Sequence, residues 1–259
     1  MILCQCVTME RPFRTAATHY ARYRPAYPAE LIERLAHATD VDGTARVLDL
    51  GCGPGTLAVP LAFYADEVVA VDVEPEMIAE LRRSAPSNVT AVTARAEDVD
   101  ESWGHFRLAT AGRAFHWFDA AVVLARLAMV TPALALVGDD IRDSEAQSLA
   151  LAIAAELIDE PPAGQPTSSR RHLRRYTEIL RSSPFDSIEL ISVEVARTWT
   201  PDELIGMAYS TAVASPERLR NRMSAFEQRV HEELAPIYRE RVAVDAVIGR
   251  LRGQTSPVA

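Results

Sequence analysis

The chain contains no lysine; all 27 basic residues are arginine. That excludes a lysine Schiff base and a P-loop phosphate site, which both need the primary amine. Cysteine is scarce, with only Cys4, Cys6 and Cys52. So sparse a set makes neither a disulfide framework nor a zinc site, and a reduced, cytoplasmic setting is expected. No apolar run reaches the ~18 residues of a membrane helix, so no membrane partner is expected. The start, Met1-Ile2-Leu3-Cys4, lacks the charged and long apolar regions of a signal peptide. Met9 directly precedes the organised sequence and is a candidate alternative start. Positive charge is also in deficit: 36 acidic residues give a net charge of −9 and a pI of about 5.2. A broad nucleic-acid footprint is not expected from that balance. The basic run Arg170-Arg171-His172-Leu173-Arg174-Arg175 lacks interleaved aromatics and reads as a solvated helix face.

What is present suits a globular protein of one or two domains. The 259 residues are 48% hydrophobic and 24% charged, enough to bury a large core. The abundance of arginine and alanine reads as a G+C-rich genome, compatible with a bacterial source. Residues 11–40 read as helical, broken around Tyr23-Arg24-Pro25-Ala26-Tyr27-Pro28, with Leu31, Ile32 and Leu35 on one helix face. Short apolar strands are predicted at 46–50, 67–71, 89–94, 106–111 and 133–137. Helices are predicted between them at 56–64, 75–84 and 120–130. Strand alternating with helix predicts an α/β layer with a parallel sheet. After residue 138 the pattern changes. Residues 141–183 read as helical around a loop at 161–166, then a strand at 188–199, helices at 201–212 and 216–234, and a last strand at 242–251. The tail from 253 to 259 reads as disordered.

The informative stretch is Val47-Leu48-Asp49-Leu50-Gly51-Cys52-Gly53-Pro54-Gly55-Thr56, where a strand turns into a helix. In open α/β sheets, ligands bind at the carboxyl ends of strands, and glycines let the backbone approach them. The helix that follows offers free N–H groups to an anionic group. By itself the glycine motif is weak evidence. Asp49, just before it, suits a ligand with a free ammonium group. Asp72 closes the next strand, where a carboxylate suits the two hydroxyls of a ribose. The third strand runs into Ala96-Glu97-Asp98, where an adenine ring would lie.

Taken in order, these pieces resemble a class I S-adenosylmethionine-dependent methyltransferase of the small-molecule type. The likeness is to the ubiquinone and trans-aconitate methyltransferases and the type 11 branch. Further matches are Ala114-Phe115-His116-Trp117-Phe118-Asp119, Ala21-Arg22-Tyr23-Arg24-Pro25-Ala26-Tyr27-Pro28 and Trp199-Thr200-Pro201-Asp202-Glu203-Leu204, so the resemblance covers nearly the whole chain. It implies a Rossmann-like, seven-stranded, mostly parallel sheet with helices on both faces. It also implies an N-terminal helical lid at 1–40, a cofactor-binding core at 41–140 and a helical insertion at 141–185. Residues 186–259 would complete the sheet and pocket. The implied cofactor is S-adenosyl-L-methionine, with S-adenosyl-L-homocysteine as product. The resemblance assigns the methionine portion to Gly51 and Gly53, the ammonium to Asp49 and the ribose hydroxyls to Asp72. Val73 would flank the adenine, Ala96 and Glu97 would contact its edge, and Tyr23 and Arg24 would close over the carboxylate. Two departures are Arg95, where relatives place aspartate or threonine, and Gly112-Arg113, where they have a small residue and glutamine.

Methyl transfer needs alignment and a dry pocket more than elaborate protein chemistry. His116 is the candidate general base, because the end of the fourth strand faces the cofactor and histidine titrates near neutrality. The other reading is that His116 and Trp117 shape the pocket. His19, Trp117, Trp199 and Tyr209 are candidates to line the acceptor site, and Asp139, beside Asp140, is a candidate to meet a cationic acceptor such as an amino sugar. The partner is then a small-molecule methyl acceptor, and the activity a methyl transfer to O, N or C in biosynthesis. Two other readings stand beside it. A nicotinamide oxidoreductase shares the strand, glycine loop and Asp72, but Thr56 stands where its third glycine belongs. A non-catalytic binding relative has no need to keep Asp49, Gly51, Gly53 and Asp72 together.

Overall fold

The computed structural model describes residues 13, 15–139, 144–159 and 171–252. Cys4, Cys6, Met9, Asp140, the loop at 161–166, Arg170 and the tail from 253 lie outside them. The first five strands are β1 (Arg46–Leu50), β2 (Glu67–Asp72), β3 (Val89–Thr93), β4 (Leu108–Gly112) and β5 (Ala133–Gly138). They are followed by β6 (Ser187–Trp199) and β7 (Tyr238–Arg250). They form one seven-stranded sheet in the order β3-β2-β1-β4-β5-β7-β6. β1 to β5 pair in parallel, and β7 runs antiparallel to both β5 and β6. The mostly parallel, Rossmann-like sheet expected from the sequence is the one observed. Its physical basis is burial on both faces: every residue of β5 is buried, as are all but the first of β1.

Two helical layers cover the sheet. On one face lie α2 (Ala29–Ala38), α3 (Ala58–Leu61) and α4 (Pro75–Ser84). Leu31, Ile32, Leu35, Leu61, Ile78 and Leu81 from these helices pack on Val47, Val68 and Val137. Pro75 opens α4, where its missing N–H costs nothing. On the other face lie α5 (Ala120–Val130) and α7 (Arg171–Arg181). Val123, Leu127, Tyr176 and Leu180 meet Leu48, Leu50 and Phe185 there. Asp119 caps α5 by accepting from the Val122 N–H.

A third core stands apart from the sheet. It joins α6 (Glu145–Leu157), α8 (Pro201–Tyr209) and α10 (Met223–Glu233) through Leu151, Leu204, Met207, Tyr209, Phe226 and Val230. Thr200 and Glu203 form a reciprocal capping box at the start of α8. α1 (Ala17–Tyr23) packs on α8 so closely that a Cβ on Gly206 would lie 2.4 Å from the Tyr23 ring.

The strand order reverses between β1 and β4: β2 and β3 lie to one side, β4 and β5 to the other. Such a reversal opens a crevice at the carboxyl ends of the strands. The β6–β7 ribbon continues past the last β5–β7 pair, Gly138 with Asp245, as far as Trp199 with Tyr238. It therefore overhangs that crevice and carries its residues to the wall.

Three elements differ from the sequence reading. The helix expected at 56–64 is only α3, because tight turns occupy the chain up to Leu57 and again after Leu61. The helix expected at 216–234 is split into α9 (Pro216–Leu219) and α10 by a turn at Arg220, whose φ is +50°. The last strand begins at Tyr238 rather than 242, since its polar first turns of alternation still pair with β6.

Candidate active site

β1 delivers Asp49 to the centre of the crevice, fully buried. The Thr110 hydroxyl donates to its Oδ1 at 2.6 Å, while Oδ2 is buried with no hydrogen-bond partner among the described residues. Burial pushes the Asp49 carboxyl up to about 7, and the neighbouring Asp72 adds to the rise. A buried, half-satisfied carboxylate is costly without a cation or donor opposite it. Its free oxygen leaves one buried acceptor for a cationic or hydrogen-bond-donating group.

The loop after β1 supplies the next part. Gly53 has φ +55°, and a Cβ built there would make only ordinary van der Waals contact, with Tyr20 Cε1 at 3.8 Å and Met77 Sδ at 4.0 Å. Its N–H donates to Asp72 Oδ2 at 2.8 Å, and the Glu74 N–H donates to Asp72 Oδ1 at 2.8 Å. Asp72 is thereby aimed at the crevice from the end of β2, and burial raises its carboxyl above the ordinary value. Gly51 differs. A Cβ there would lie 2.4 Å from the Ala114 Cβ, so this glycine lets the β1 and β4 loops touch rather than making room for a ligand.

Val73 follows at the tip of β2, 59% exposed although apolar. Ala96 is buried beyond β3, and Glu97 accepts from the Asp119 N–H at 2.9 Å and pairs with Arg95 at 3.3 Å. Arg95, a departure from the family pattern, thus serves as a partner to Glu97.

The loop after β4 forms the opposite wall. His116 and Trp117 are both exposed there, their rings 5.2 Å apart. Crowding by the surrounding protein, then Arg175 and Arg24, lowers the His116 imidazole below its ordinary value, so it is neutral at pH 7. Phe13 stands edge-on to Trp117 at 5.6 Å and to Tyr20 at 6.3 Å, bridging the N-terminal segment to this loop. Tyr23 and Arg24 end α1. The Arg24 guanidinium lies 5.0 Å over the Tyr20 ring and donates to the Ser210 carbonyl, while its Nε is buried without a partner among the described residues.

The remaining predicted residues separate into two groups. His19 stands 5.2 Å from Tyr209, and both line a cleft of about 900 Å³ with Tyr23, Glu227 and His231. Burial and then Arg22 lower the His19 imidazole, and Tyr209 donates to Glu227 at 2.8 Å. Trp199 is buried, donates to Glu240 at 2.7 Å and lines a second cavity of about 370 Å³.

Asp139 corrects an expectation. It is not available to a cationic acceptor: Arg113 Nε donates to its Oδ1 and Arg197 Nη1 to its Oδ2, each at 2.6 Å. Burial alone would raise its carboxyl, but the two guanidinium groups hold it well below the usual range. Arg197 and Thr110 were missed in the sequence. The signal for Arg197 was there: it falls on the face of β6 that carries Val193 and Val195, where a charge needs a reason.

The arrangement fits S-adenosylmethionine: a buried carboxylate with one free oxygen, a glycine turn after the first strand, a second carboxylate held at the end of β2 and an exposed apolar residue beside it. Residues 47–135 match the family model described as a methyltransferase domain. An uncharacterised methyltransferase of Mycobacterium tuberculosis is 29% identical over 85% of each chain. The structure of a candidate type II methyltransferase from Anaeromyxobacter dehalogenans shares the fold with a TM-score of 0.57. It is 24% identical and covers 88% of this chain and 98% of that one. A Geobacter sulfurreducens methyltransferase solved with S-adenosylhomocysteine has a TM-score of 0.54 at 14% identity, covering 93% and 98%.

Proposed function

We propose that this class I S-adenosylmethionine-dependent methyltransferase methylates an oxygen, nitrogen or carbon atom of a small organic molecule. The methyltransferase-domain match supports this reading over the nicotinamide and non-catalytic alternatives. The observation that carries the small-molecule reading is the roof of the site. α1 and α8 line two cavities, one of about 900 Å³ closed by α10 and one of about 370 Å³ closed by the end of β6, the size range of small-molecule sites. The net charge of −9 is also unsuited to a phosphate backbone. Among the described residues no helix is long and apolar enough to cross a membrane.

Bound in the crevice, the cofactor supplies an electrophilic methyl carbon on a sulfonium. The chain's own residues bind, orient and exclude water. Asp49 Oδ2 takes the ammonium, Asp72 the ribose hydroxyls and Arg24 the carboxylate. Val73 and Ala96 flank the adenine, and Glu97 sits at its edge. Phe13, Tyr20 and Trp117 form an aromatic closure that keeps solvent from the reacting centre.

His116, neutral and open to the crevice, accepts the acceptor's proton. His116→Ala is expected to slow turnover roughly 10²–10⁴-fold while S-adenosylhomocysteine affinity stays within about threefold. Unchanged turnover would assign His116 to shaping the pocket. The reading as a whole is tested by calorimetry with S-adenosylhomocysteine, with NADH as control. A labelled methyl donor is then offered with a small-molecule extract and, separately, with total RNA. Label entering RNA alone would overturn the small-molecule acceptor.

A further inference from the structure

Arg113 follows β4, Asp139 follows β5 and Arg197 comes from the overhanging end of β6, so three strands bring them to one point. The two arginine side chains are 9% and 10% exposed and Asp139 is 11% exposed. Asp139 spends both oxygens on them. Arg113 also donates Nη1 to the Pro25 carbonyl at 2.9 Å and lies 4.5 Å over the Tyr27 ring. That leaves Arg113 Nη2 and Arg197 Nη2, both buried and both without an acceptor among the described residues. Among the described residues, two guanidinium groups against one carboxylate leave one positive charge unbalanced. Arg24, beside them, adds a second.

Two unbalanced charges call for two anions. The cofactor supplies one, its own carboxylate, which the reading above places at Arg24. The other has no source in the cofactor's methionine portion. Arg197 and Arg24 line the 370 Å³ cavity together with Tyr23, Thr198 and Trp199. Glu203 also lines that cavity, where its single negative charge is offset by Arg22 at the rim. A cation buried without a counter-charge is unfavourable, and an incoming carboxylate relieves it with charge-assisted hydrogen bonds.

We infer that the methyl acceptor carries a carboxylate, held in the 370 Å³ cavity by the free Nη2 of Arg197, with Asp139 bracing that guanidinium against Arg113. The inference rests on the methyltransferase reading. It makes the acceptor an acid, opposite in charge to the amino sugar that Asp139 alone suggested.

The test titrates protein saturated with S-adenosylhomocysteine with benzoate, 4-hydroxybenzoate and succinate, and with benzamide as the uncharged control. Saturable binding of a carboxylate and none of benzamide is expected. Arg197→Gln should weaken that binding at least tenfold while S-adenosylhomocysteine affinity changes less than twofold. Since Arg197→Gln leaves Asp139 short of a partner, the double variant Arg197→Gln, Asp139→Asn guards against misfolding and should show the same loss. Absence of carboxylate binding, or binding that survives in both variants, overturns the inference. So does a loss of S-adenosylhomocysteine affinity in the variants, which would give the cluster to the cofactor's own carboxylate. Failure of the wild-type protein to bind S-adenosylhomocysteine at all is a separate result; it removes the methyltransferase reading and this inference with it.

Discussion

Gly53→Val should abolish cofactor binding and leave the sheet folded. The position lies in the crevice, and the nearest protein atom to a Cβ there is 3.8 Å away. The branched side chain would touch Tyr20 and Met77 without a clash at its Cβ, and would occupy the space the ligand needs. Its φ of +55° belongs to the left-handed region, where a side chain costs roughly 1–2 kcal/mol. A chain with three hydrophobic cores should absorb that loss. Affinity for S-adenosylhomocysteine should fall at least about a hundredfold, or about 3 kcal/mol. Gly51→Ala provides the contrast. Its methyl group would lie 2.4 Å from Ala114 Cβ, so stability should fall by about 1–3 kcal/mol through overpacking. Calorimetry and thermal melting on both variants separate the two roles. Wild-type affinity in Gly53→Val would move the site away from this loop.

Asp49→Asn should weaken the cofactor by about 3–5 kcal/mol, since it leaves a buried ammonium without its counter-charge. The pH dependence is more diagnostic. In the free protein the Asp49 carboxyl titrates near 7, raised first by burial and then by Asp72. Below that pH it must lose a proton before it can hold an ammonium group. Wild-type affinity should therefore fall by up to about tenfold per unit as pH drops below 7. In Asp49→Asn that slope should vanish.

The free protein should show the opposite trend in stability. A carboxyl raised on folding from 3.8 to about 7 keeps its proton in the folded state between those values. Its contribution is fully present below pH 3.8 and is lost as pH rises to about 7, on the order of 1 kcal/mol per unit. Asparagine can keep the Thr110 hydrogen bond without ionising. Asp49→Asn should then melt above wild type at pH 8 while binding cofactor far worse. A variant less stable than wild type at pH 8 would show that Asp49 is satisfied in the free protein.

Much of the fold was readable because its signals are local. Strands β1, β2, β4 and β5 are short apolar runs ended by glycine or acid, and the alternation of strands with amphipathic helices permits few arrangements other than a parallel sheet. The glycine loop, Asp49 and Asp72 stand at the carboxyl ends of neighbouring strands, which the order of motifs along the chain already implied. Element lengths were less accessible. Neither the short α3 nor the break at Arg220 follows from hydrophobic periodicity, since both depend on backbone turns that apolar spacing does not record.

The amino-acid sequence by itself determined the chemistry on offer: a backbone loop for a nucleoside ligand, acids at two strand ends, no lysine anywhere, and a histidine after the fourth strand. Only the tertiary structure decided which of those groups remain free to use. Thr110 occupies one oxygen of Asp49 because β4 pairs beside β1. Arg113 and Arg197 occupy both oxygens of Asp139 because β7 inserts antiparallel next to β5 and carries β6 over the crevice. Ion pairing and burial depend on distances between residues far apart in the chain. The charge an acceptor meets was therefore set by strand order, which reversed the sign that Asp139 alone suggested.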